Sequence, residues 1–506
     1  MTTEQLYEIF LQHPVITTDS RNCPDGSIFF ALKGDNFNGN RFAAAALDQG
    51  CAYAVVDEES VELGVRSEEF SDRLILVDDV LSTLQQLAHI HREHFEGPVL
   101  QITGTNGKTT TKELVSAVLA QKYRVLYTSG NLNNHIGVPK TLLRLTKDHD
   151  IAVIETGANH PGEIATLANI VDPDCGLITN VGIAHIEGFG SFDGVVKTKG
   201  ELYDYIREKA SKAPTSSQSP AFIFLNADNP HLSKIAGGLS TVTYGSPSHA
   251  YTVEGEVVEC APFLKIRWRG VPTPSPSALR ATSAAGFSIL GSLAQAGGEP
   301  ACSQAEYIGS PSKLEEVADT CVGGGSVSNL QWHEVQTHLI GSYNIDNVLA
   351  AACVGIYFGV PAEQISAALA NYSPTNSRSE LRRTEKNTLI VDAYNANPSS
   401  MAAALDNFAL TTPAQGFSKM LILGDMRELG AVSEREHKKV IEKIQESDFD
   451  NVWLVGENFR RLNPPFPTFR DVEDVKAELE RTPIANRLIL IKGSNGTRLY
   501  DLPDYL

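Results

Sequence analysis

The sequence predicts an α/β protein of three domains, organised around mostly parallel sheets. Two stretches alternate apolar, strand-like runs with helical patterns, one from about residue 98 to 245 and one after residue 373. The strand cores of the first stretch are 99–102, 124–127, 151–154, 176–179 and 221–225. Those of the second stretch are 389–392, 420–423, 452–455 and 488–491. Alternation of this kind is typical of a parallel sheet with helices on its faces.

A chain of 506 residues leaves room for about three domains. We expect a small N-terminal α/β domain at 1–97, a central domain at 98–372 and a C-terminal Rossmann-like α/β domain at 373–506. In the N-terminal domain, helices are predicted at 4–11, 43–49 and 80–95, and strands at 52–56 and 74–77. The run 26–34 is predicted to form a short strand that ends in a glycine turn. The central sheet should carry helices on both faces.

The central domain contains a stretch rich in proline, glycine and serine at about 262–330. Its composition indicates a flexible or loosely ordered insertion. The flanking runs at 264–268 and 332–339 are strand-like, so we expect them to pair with each other across the insertion. We assign no catalytic residue to it.

The composition is that of a soluble globular protein, with 42% hydrophobic and 20% charged residues. A formal net charge of −19 argues against nucleic acid or an anionic membrane surface as the main partner. The N-terminus shows no secretory signal, and no stretch reaches the roughly 18 apolar residues of a membrane span. The seven cysteines are scattered without a C-x-x-C pair, which favours free thiols. We therefore expect a cytoplasmic monomer.

A glycine-rich loop joins the first central strand to a helical pattern at 111–119. Its residues are Gly104, Thr105, Asn106, Gly107, Lys108, Thr109 and Thr110. Glycines let backbone N–H groups turn inward, and the helix N-terminus adds partial positive charge. Lys108 is placed to reach the terminal phosphates of ATP, and Thr109 to hold Mg²⁺. The stretch therefore predicts a P-loop-type ATP site.

This loop departs from the common pattern G-x-x-x-x-G-K-[ST] at one position. Ile102 stands where the first glycine belongs, which leaves a shorter G-x-x-G-K-T. The alternative interpretation is an ordinary glycine turn between a strand and a helix. The residues on the same edge of the sheet must decide between the two.

Polar residues end two other strands of the predicted central sheet. In a parallel sheet the carboxyl ends of the strands share one edge, where ligands bind. Glu155 would hold a nucleotide-bound Mg²⁺ beside Thr109, or else it neighbours a helix N-cap. His185 would bind a second cation, although a single histidine in a turn is more often structural.

Two other polar groups lie near this edge. The segment 131–139, with Asn133 and Asn134, would hold substrate amides or cap the following helix. The helix predicted after residue 195 carries Lys197 and Lys199. Lysines on a helix are usually solvated, so a pair near a dication site suggests that one becomes an anion or binds phosphate.

Two more sets of residues have a functional and a structural interpretation. Asn344 and Asn347 share one helical face and would read an adenine edge or cap the helix. Asp19, Ser20, Arg21 and Lys33 would bind an anionic or uridine-like ligand. Otherwise the first three belong to a turn and Lys33 is a solvated lysine. The loops that follow the C-terminal strands should also face a ligand, at 392–398, 424–430, 456–458 and 492–496.

Together these residues resemble the Mur ligase family of ATP-dependent amide-forming enzymes, over nearly the whole chain. The run 104–110 is the family's form of the loop, which accounts for the missing first glycine. Other residues fall in the family's order: Glu155, His185, Asn344, Asn347, Arg378 and Asp392. Two features depart from the family pattern: the insertion around 270–325 and Tyr343, where relatives often have histidine.

Within the family, the pattern is most similar to members that join D-alanyl-D-alanine to UDP-N-acetylmuramoyl-tripeptide. The similar stretches are 131–139, 155–159, 392–398, 424–430 and 492–494. That activity is the last cytoplasmic step in making the peptidoglycan nucleotide precursor. The resemblance implies that ATP phosphorylates the peptide carboxylate and that the dipeptide amine then attacks the acyl phosphate.

The resemblance also implies roles around the metal ions. Lys108 and two Mg²⁺ ions would neutralise the approaching anions. Thr109 and Glu155 would hold one ion and His185 the other. A lysine carbamylated by CO₂ supports the second ion in family members. Lys199 is the better candidate for this lysine, with Lys197 as the alternative.

The remaining implied contacts concern ATP and the two substrates. Asn344 and Asn347 would lie by the adenine, Asp392 by the ribose and Arg378 by the phosphates, where it would assist catalysis. Substrate contacts are expected from Ser20, Arg21 and Lys33 at the UDP end, from Asn133, Asn134 and Asn159 beside the phosphate loop, and from Asn395, Asn397 and Lys492 at the dipeptide. The C-terminal domain would close over the central one.

Two other functions are weighed against this one. A related ligase would add a single amino acid, lysine or diaminopimelate, but no D-x-N-P arginine signature for diaminopimelate is evident. The second alternative is a non-catalytic, nucleotide-dependent binding protein of the same fold. The intact Lys108, Glu155 and Lys199 argue against it. The sequence leaves the third residue of the accepted peptide open between lysine and diaminopimelate.

Overall fold

The computed structural model describes residues 1–34, 36–58, 72–212, 221–247, 251–260, 262–271, 330–374, 379–447, 449 and 451–506. Most of the predicted insertion, at 272–329, and the predicted phosphate contact Arg378 lie outside these residues. The chain forms two compact units. The first comprises Met1–Gly104, Lys122–Ile178 and Val196–Lys209, and the second Thr105–Gln121, Thr179–Val195 and Ala210–Leu506. The three domains expected from the sequence stay a prediction.

The described elements follow the predicted alternation. The α-helices are α1 (Thr3–Gln12), α2 (Ala43–Asp48), α3 (Val80–Glu93), α4 (Lys108–Leu119), α5 (Gly137–Leu142), α6 (Glu163–Val171), α7 (Ile186–Phe189), α8 (Phe192–Lys212), α9 (Pro230–Ile235), α10 (Ile345–Tyr357), α11 (Ala362–Asn371), α12 (Pro398–Leu410), α13 (Ser433–Gln445), α14 (Glu457–Arg461) and α15 (Val472–Arg481). Short 3-10 helices cover Gly39–Phe42, Ser342–Asn344, Gly430–Val432, Asn495–Thr497 and Leu499–Tyr505.

The strands are β1 (Ile16–Thr17), β2 (Ile28–Phe30), β3 (Lys33–Gly34), β4 (Phe37–Asn38), β5 (Tyr53–Val56), β6 (Leu74–Leu76), β7 (Val99–Thr103), β8 (Val125–Tyr127), β9 (Ile151–Glu155), β10 (Cys175–Ile178), β11 (Phe222–Asn226), β12 (Thr241–Gly245), β13 (Val253–Cys260), β14 (Phe263–Gly270), β15 (His333–Ile340), β16 (Glu380–Arg383), β17 (Thr388–Asp392), β18 (Ser418–Gly424), β19 (Asn451–Val455), β20 (Thr468–Phe469) and β21 (Arg487–Lys492).

The first unit begins with a four-stranded parallel sheet, ordered β1-β2-β5-β6. Helix α1 starts at a capping box, in which Thr2 and Gln5 satisfy each other's backbone N–H groups. The short strand predicted within 26–34 is confirmed as β2, but it ends at Phe30, and Lys33 and Gly34 form the first strand of a separate hairpin that was not predicted. That hairpin places Lys33 outside the sheet.

Four parallel strands in the same unit follow the order β10-β7-β9-β8. Every residue of β7 and β9 is buried. Burial on both faces is expected of a parallel sheet that helices cover on its two sides. It also explains why these strands read as continuous apolar runs in the sequence.

The second unit contains strands β11 to β15, which lie in sequence order. The β11–β12 and β12–β13 pairs are parallel, and the β13–β14 and β14–β15 pairs are antiparallel. Ile266 in β14 lies opposite Val335 in β15. The predicted pairing of the two runs that flank the insertion is therefore confirmed.

The C-terminal part of the second unit is a six-stranded sheet ordered β16-β17-β21-β18-β19-β20. Its pairs are parallel except β16–β17. Two hydrophobic clusters form around it, one with Met401 and Phe408 of α12, the other with Val475 and Leu479 of α15. The predicted α/β fold with mostly parallel sheets is confirmed. Across the described residues, no helix has both the length and the apolar character needed to cross a membrane.

Candidate active site

A glycine loop connects β7 to α4. Gly107, the last loop residue, has a φ of +77°, and a Cβ there would lie 2.4 Å from Asn347 Oδ1. Both the left-handed backbone and this close approach require glycine. Thr109 is buried and Thr110 half-buried in the first turn of α4. The predicted strand, loop and helix are therefore present.

The segment after β10 holds the loop in place. The Thr105 N–H donates to Asn180 O at 2.9 Å, and the Asn106 N–H donates to Asn180 Oδ1 at 2.9 Å. Thr179 Oγ1 donates to Asn106 O at 2.6 Å. Lys108 Nζ donates to Thr105 O at 3.0 Å, so the ammonium group lies back over its own loop. The loop is thus shaped by the protein itself, which favours binding of an anion.

The two predicted adenine residues are buried beside the loop. Asn347 Oδ1 accepts from Thr111 Oγ1 at 2.9 Å, and Asn347 Nδ2 donates to Asn344 Oδ1 at 2.8 Å. Asn344 Nδ2 donates to Ile340 O at 2.8 Å. Asn344 occupies the N-cap of α10 but makes no side-chain cap bond, so the capping interpretation is wrong for it. The pair braces α4 against α10, and its contact with adenine stays a prediction.

Glu155 ends β9 in the first unit, where its side chain is almost completely buried. Asn133 Nδ2 donates to Glu155 Oε1 at 2.8 Å, and the Glu155 N–H donates to Thr128 Oγ1 at 2.9 Å. The next helix begins only at Glu163, so Glu155 does not neighbour an N-cap. A carboxylate oxygen is the kind of ligand that Mg²⁺ takes in proteins. These surroundings fit the predicted Mg²⁺ ligand.

The other two asparagines predicted in this unit shape the backbone. Asn134 Oδ1 accepts from the Gly137 N–H at 2.8 Å, at the start of α5. The Asn159 N–H donates to Glu163 Oε2 at 2.7 Å. The capping interpretation of segment 131–139 is therefore confirmed for Asn134, and contacts with substrate stay a prediction for both residues.

The two lysines of α8 have opposite environments. Lys199 is 2% exposed, and its Nζ donates to Ala158 O at 3.3 Å, whereas Lys197 is exposed. Burying an ammonium group costs free energy unless it is paired. A buried amine is therefore the better acceptor of CO₂, which favours Lys199 over Lys197 for the predicted carbamate.

His185 lies at the N-cap of α7 with a φ of +50°. Its Nδ1 faces the Glu428 carboxylate, and Glu428 also has a left-handed backbone, with a φ of +61°. The Glu187 N–H donates to Glu428 O at 3.4 Å. A left-handed conformation is strained for residues other than glycine and asparagine, and such strain concentrates at functional sites. Sequence reasoning named the loop 424–430 but missed Glu428, because nothing in the local pattern marks a left-handed glutamate.

The residues predicted at the ribose and the dipeptide contact one another. Lys492 Nζ donates to Asp392 Oδ2 at 2.5 Å and to Asn395 O at 3.3 Å. Lys492 is 1% exposed. The Ser379 N–H donates to Asp392 Oδ1 at 3.3 Å. Lys492 therefore joins the ends of two neighbouring strands, and its contact with the dipeptide stays a prediction.

Asn397 caps α12 and reaches the phosphate loop. Its Oδ1 accepts from the Ser400 N–H at 2.9 Å, and its Nδ2 donates to Asn106 Oδ1 at 2.7 Å. In the next residue, Ser399 Oγ accepts from the Ile183 N–H at 3.1 Å. The start of α12 is therefore bonded to the loop and to the segment that holds it.

Arg21 and Ser20 lie in a turn of the first unit. Arg21 Nη2 pairs with Asp19 Oδ2 at 2.9 Å, while the arginine side chain is 88% exposed. Hydrogen bonds from Arg21 lower the pKa of Asp19 to about 2. The turn interpretation is therefore confirmed for Arg21. Contact of either residue with a nucleotide stays a prediction.

Lys33 carries a different local arrangement. Its Nζ pairs with Asp57 Oδ1 at 2.8 Å and with Glu58 Oε1 at 3.0 Å. Bonds to these two carboxylates raise the pKa of Lys33. The lysine is already neutralised within the chain, so an anionic ligand would have to share it with Asp57 and Glu58.

No cluster of three or more His, Cys, Asp or Glu side chains capable of holding a metal by themselves occurs among the described residues. The metal ligands predicted from the sequence, Thr109, Glu155, His185 and a carbamylated Lys199, stay a prediction. Oxygen donors such as carboxylate and hydroxyl groups suit Mg²⁺, which usually keeps substrate phosphates among its ligands.

Three descriptions of Mur ligase domains match this chain. "Mur ligase family, catalytic domain" matches residues 14–92, "Mur ligase middle domain" 102–265, and "Mur ligase, glutamate ligase domain" 377–495. The chain is also 30% identical to "UDP-N-acetylmuramoyl-tripeptide--D-alanyl-D-alanine ligase" of Bacillus subtilis, over 98% of this chain and 93% of that protein. The protein of the same name in Escherichia coli is 32% identical, over 96% of this chain and 92% of that protein.

Solved structures agree with the sequence comparisons. MurF from Acinetobacter baumannii superposes with a TM-score of 0.75 at 25% identity, covering 99% of this chain and 97% of that chain. A MurF ligase from Thermotoga maritima in complex with ADP has the same fold, with a TM-score of 0.73 at 22% identity over 98% of this chain and 97% of that chain. By its domains, its relatives and its fold, the chain belongs to the Mur ligase family.

Proposed function

We propose that this protein is an ATP-dependent ligase that joins D-alanyl-D-alanine to UDP-N-acetylmuramoyl-tripeptide. The observation that carries the proposal is the match to the Bacillus subtilis and Escherichia coli ligases of that name over nearly the full length of each protein. The self-supported loop at 104–107 supplies the ATP site that such a reaction needs. We also propose that the protein acts in the cytoplasm as a monomer.

The reaction proceeds in two steps. A carboxylate oxygen of the tripeptide attacks the γ-phosphorus of ATP, the bond to the ADP oxygen breaks, and an acyl phosphate forms. The amine of the dipeptide then attacks the acyl carbon, phosphate leaves, and the nitrogen gives up a proton. Activation is required because a free carboxylate is a poor acyl donor.

The loop stabilises the charge that develops on ATP. Its backbone N–H groups and the N-terminus of α4 attract the phosphates, and Lys108 reaches them by leaving Thr105 O, which it bonds at 3.0 Å. Asn347 contacts Gly107 and keeps the loop shape that these contacts need. Arg378 is proposed to assist at the phosphates, Asp392 at the ribose, and Asn344 and Asn347 at the adenine.

Two Mg²⁺ ions are proposed to accompany ATP. Thr109 and Glu155 would hold one, and His185 and carbamylated Lys199 would support the other. Bound Mg²⁺ would offset the negative charge shared by the phosphates and the incoming carboxylate. The almost complete burial of Glu155 and Lys199 supports these assignments, because it shields both side chains from water.

The substrates are assigned to separate parts of the chain. Ser20, Arg21 and Lys33 are proposed at the UDP end. Asn133, Asn134 and Asn159 are proposed at the tripeptide, and Asn395 and Lys492 at the dipeptide. The C-terminal segment would bring the amine to the acyl phosphate, where correct orientation removes much of the entropic barrier.

Phosphate release tests this function. The purified chain is incubated with ATP, Mg²⁺ and the tripeptide precursor, and single amines are then added. We expect phosphate only with D-alanyl-D-alanine. Release with lysine or diaminopimelate instead would assign a single-residue ligase, and no release with any amine would favour a binding protein. Running the assay with both tripeptides determines whether the accepted third residue is lysine or diaminopimelate.

A further inference from the structure

We infer that Asn397 is a positioning residue for the phosphate loop, through its hydrogen bond to Asn106. The inference rests on the proposed function, since it assigns the loop to ATP. It also replaces the role expected from the sequence, in which Asn397 contacts the dipeptide. The shape of the ATP site then depends on whether the start of α12 is docked.

Both polar ends of the Asn397 side chain are engaged. Its Oδ1 accepts from the Ser400 N–H at 2.9 Å, which is the N-cap bond of α12. Because a backbone N–H requires an oxygen acceptor, this bond fixes which way the amide faces. The Nδ2 must therefore point to Asn106, and it donates to Asn106 Oδ1 at 2.7 Å. Asn397 is 5% exposed, so water competes little for this bond.

Asn106 is the loop residue that most needs external support. It precedes Gly107, whose φ of +77° belongs to neither a helix nor a strand. Its N–H donates to Asn180 Oδ1 at 2.9 Å and its carbonyl accepts from Thr179 Oγ1 at 2.6 Å. Asn397 supplies the side-chain partner. Without it, the Asn106 side chain is free to rotate toward the space that the phosphates require.

A second contact, separate from the Asn397–Asn106 bond, also holds the start of α12 in place. Ser399 Oγ accepts from the Ile183 N–H at 3.1 Å, and a Cβ at Gly182 would approach Ser399 Oγ to 3.0 Å. The Gly182 N–H itself donates to Thr105 Oγ1 at 3.0 Å. The first turn of α12 therefore touches the loop directly through Asn397 and indirectly through Ser399.

The test is a double-mutant cycle read out by ADP binding. Titration calorimetry on the full chain, without dipeptide, compares wild type with Asn397→Ser, Asn106→Ala and the double variant. Serine keeps the N-cap of α12 but cannot reach Asn106. We expect each single variant to bind ADP about 3- to 10-fold more weakly, the scale of one hydrogen bond. The double variant should be no weaker than the weaker single variant, because the two residues share one bond.

Asn229→Ser is the matched control. Asn229 also precedes a proline and caps a helix, α9, with bonds to the His231 and Leu232 N–H groups. Its replacement should leave ADP binding unchanged. An equal loss of ADP binding in Asn229→Ser would show that an asparagine-to-serine change at a helix N-cap weakens binding wherever it lies, and would overturn the inference.

Two further results would also overturn it. One is a double variant whose loss of ADP affinity equals the product of the losses in the two single variants. The other is Asn397→Ser binding ADP like wild type while its KM for D-alanyl-D-alanine rises, which would restore the dipeptide contact. If Asn397→Ser does not fold, Asn106→Ala serves instead, because it removes the same hydrogen bond from the loop side. Unchanged ADP binding by Asn106→Ala would also contradict the inference. Because ADP binding needs no acceptor amine, failure of the proposed ligation would be seen separately in the phosphate assay.

Discussion

The burial of Lys199 and the exposure of Lys197 on one helix make a residue-level prediction. Lys199→Ala should lose most of its activity, by about 10²-fold or more, because a charged group at the reacting centre is lost. Added short carboxylic acids should restore part of it by supplying the missing carboxylate. Phosphate release with and without acetate measures both effects.

Lys197→Ala should remain active in the same assay. Full activity of Lys199→Ala would contradict the carbamate assignment. Loss and rescue in Lys197→Ala would move the carbamate to that lysine.

Asp346, in the first turn of α10, carries a prediction about pH. Burial, with a contribution from Asp228, raises the pKa of Asp346 from 3.8 to about 6. The folded state thus holds this proton more tightly than the unfolded state. The resulting stabilisation is present below the unfolded pKa and is lost as the pH rises through the folded pKa. At pH 8, Asp346→Asn should therefore raise the free energy of unfolding by about 1–3 kcal/mol.

Urea denaturation at several pH values checks this effect. The difference between Asp346→Asn and wild type should shrink toward zero as the pH falls to about 3, below the unfolded pKa of 3.8, where the aspartate is mostly protonated in both states. A difference that stays constant between pH 4 and pH 8 would show that desolvation of the Asp346 carboxylate is not its cause.

At the level of elements, the loop before α13 contains a residue with a strained backbone, Glu428. Glu428 faces His185 from a left-handed backbone with a φ of +61°. Replacing it by alanine or glycine removes the same carboxylate, but only glycine relieves the strain. The free energy of unfolding of Glu428→Gly should therefore be about 1 kcal/mol higher than that of Glu428→Ala.

Both Glu428 variants should lose activity to the same degree, since each leaves the His185 ring without its partner. Denaturation and phosphate release on the two proteins test the two halves of this prediction. Equal stabilities would refute the strain argument. Wild-type activity in both would show that Glu428 does not orient His185.

Much of the fold follows from local sequence patterns. The buried parallel strands read as continuous apolar runs, and the pairing of β14 with β15 follows from two strand-like flanks. The hairpin β3–β4 was missed because two-residue strands leave no periodic pattern. Edge strand β20 was missed for the same reason, and the four-residue β16 was missed because Leu381 is its single apolar residue.

Some features of the candidate site were also predictable from the sequence, and others were not. The loop 104–110 is a contiguous run whose residue types indicate phosphate binding, so its position between a strand and a helix was predictable. Asn344 and Asn347 share a helical face by spacing alone. The bond between Asn106 and Asn397 joins residues 291 positions apart and depends on how α12 docks. Neither it nor Glu428 leaves a signature in one sequence.

At the scale of the whole molecule, the net charge of −19 opposes the approach of two anionic substrates. Under the proposed function, binding of ATP and the UDP precursor therefore relies on short-range groups, for which the loop N–H donors, Lys108, Lys33 and Mg²⁺ are the proposed ones. Such contacts act at hydrogen-bonding distance and depend on the geometry that the surrounding elements fix.

Mass spectrometry of the reaction product tests the central claim most directly. The chain is incubated with ATP, Mg²⁺, UDP-N-acetylmuramoyl-tripeptide and an equimolar mixture of D-alanyl-D-alanine, lysine and diaminopimelate. We expect one product, whose mass equals the precursor plus the dipeptide minus one water. A product carrying a single lysine or diaminopimelate, or an unchanged precursor, would contradict it.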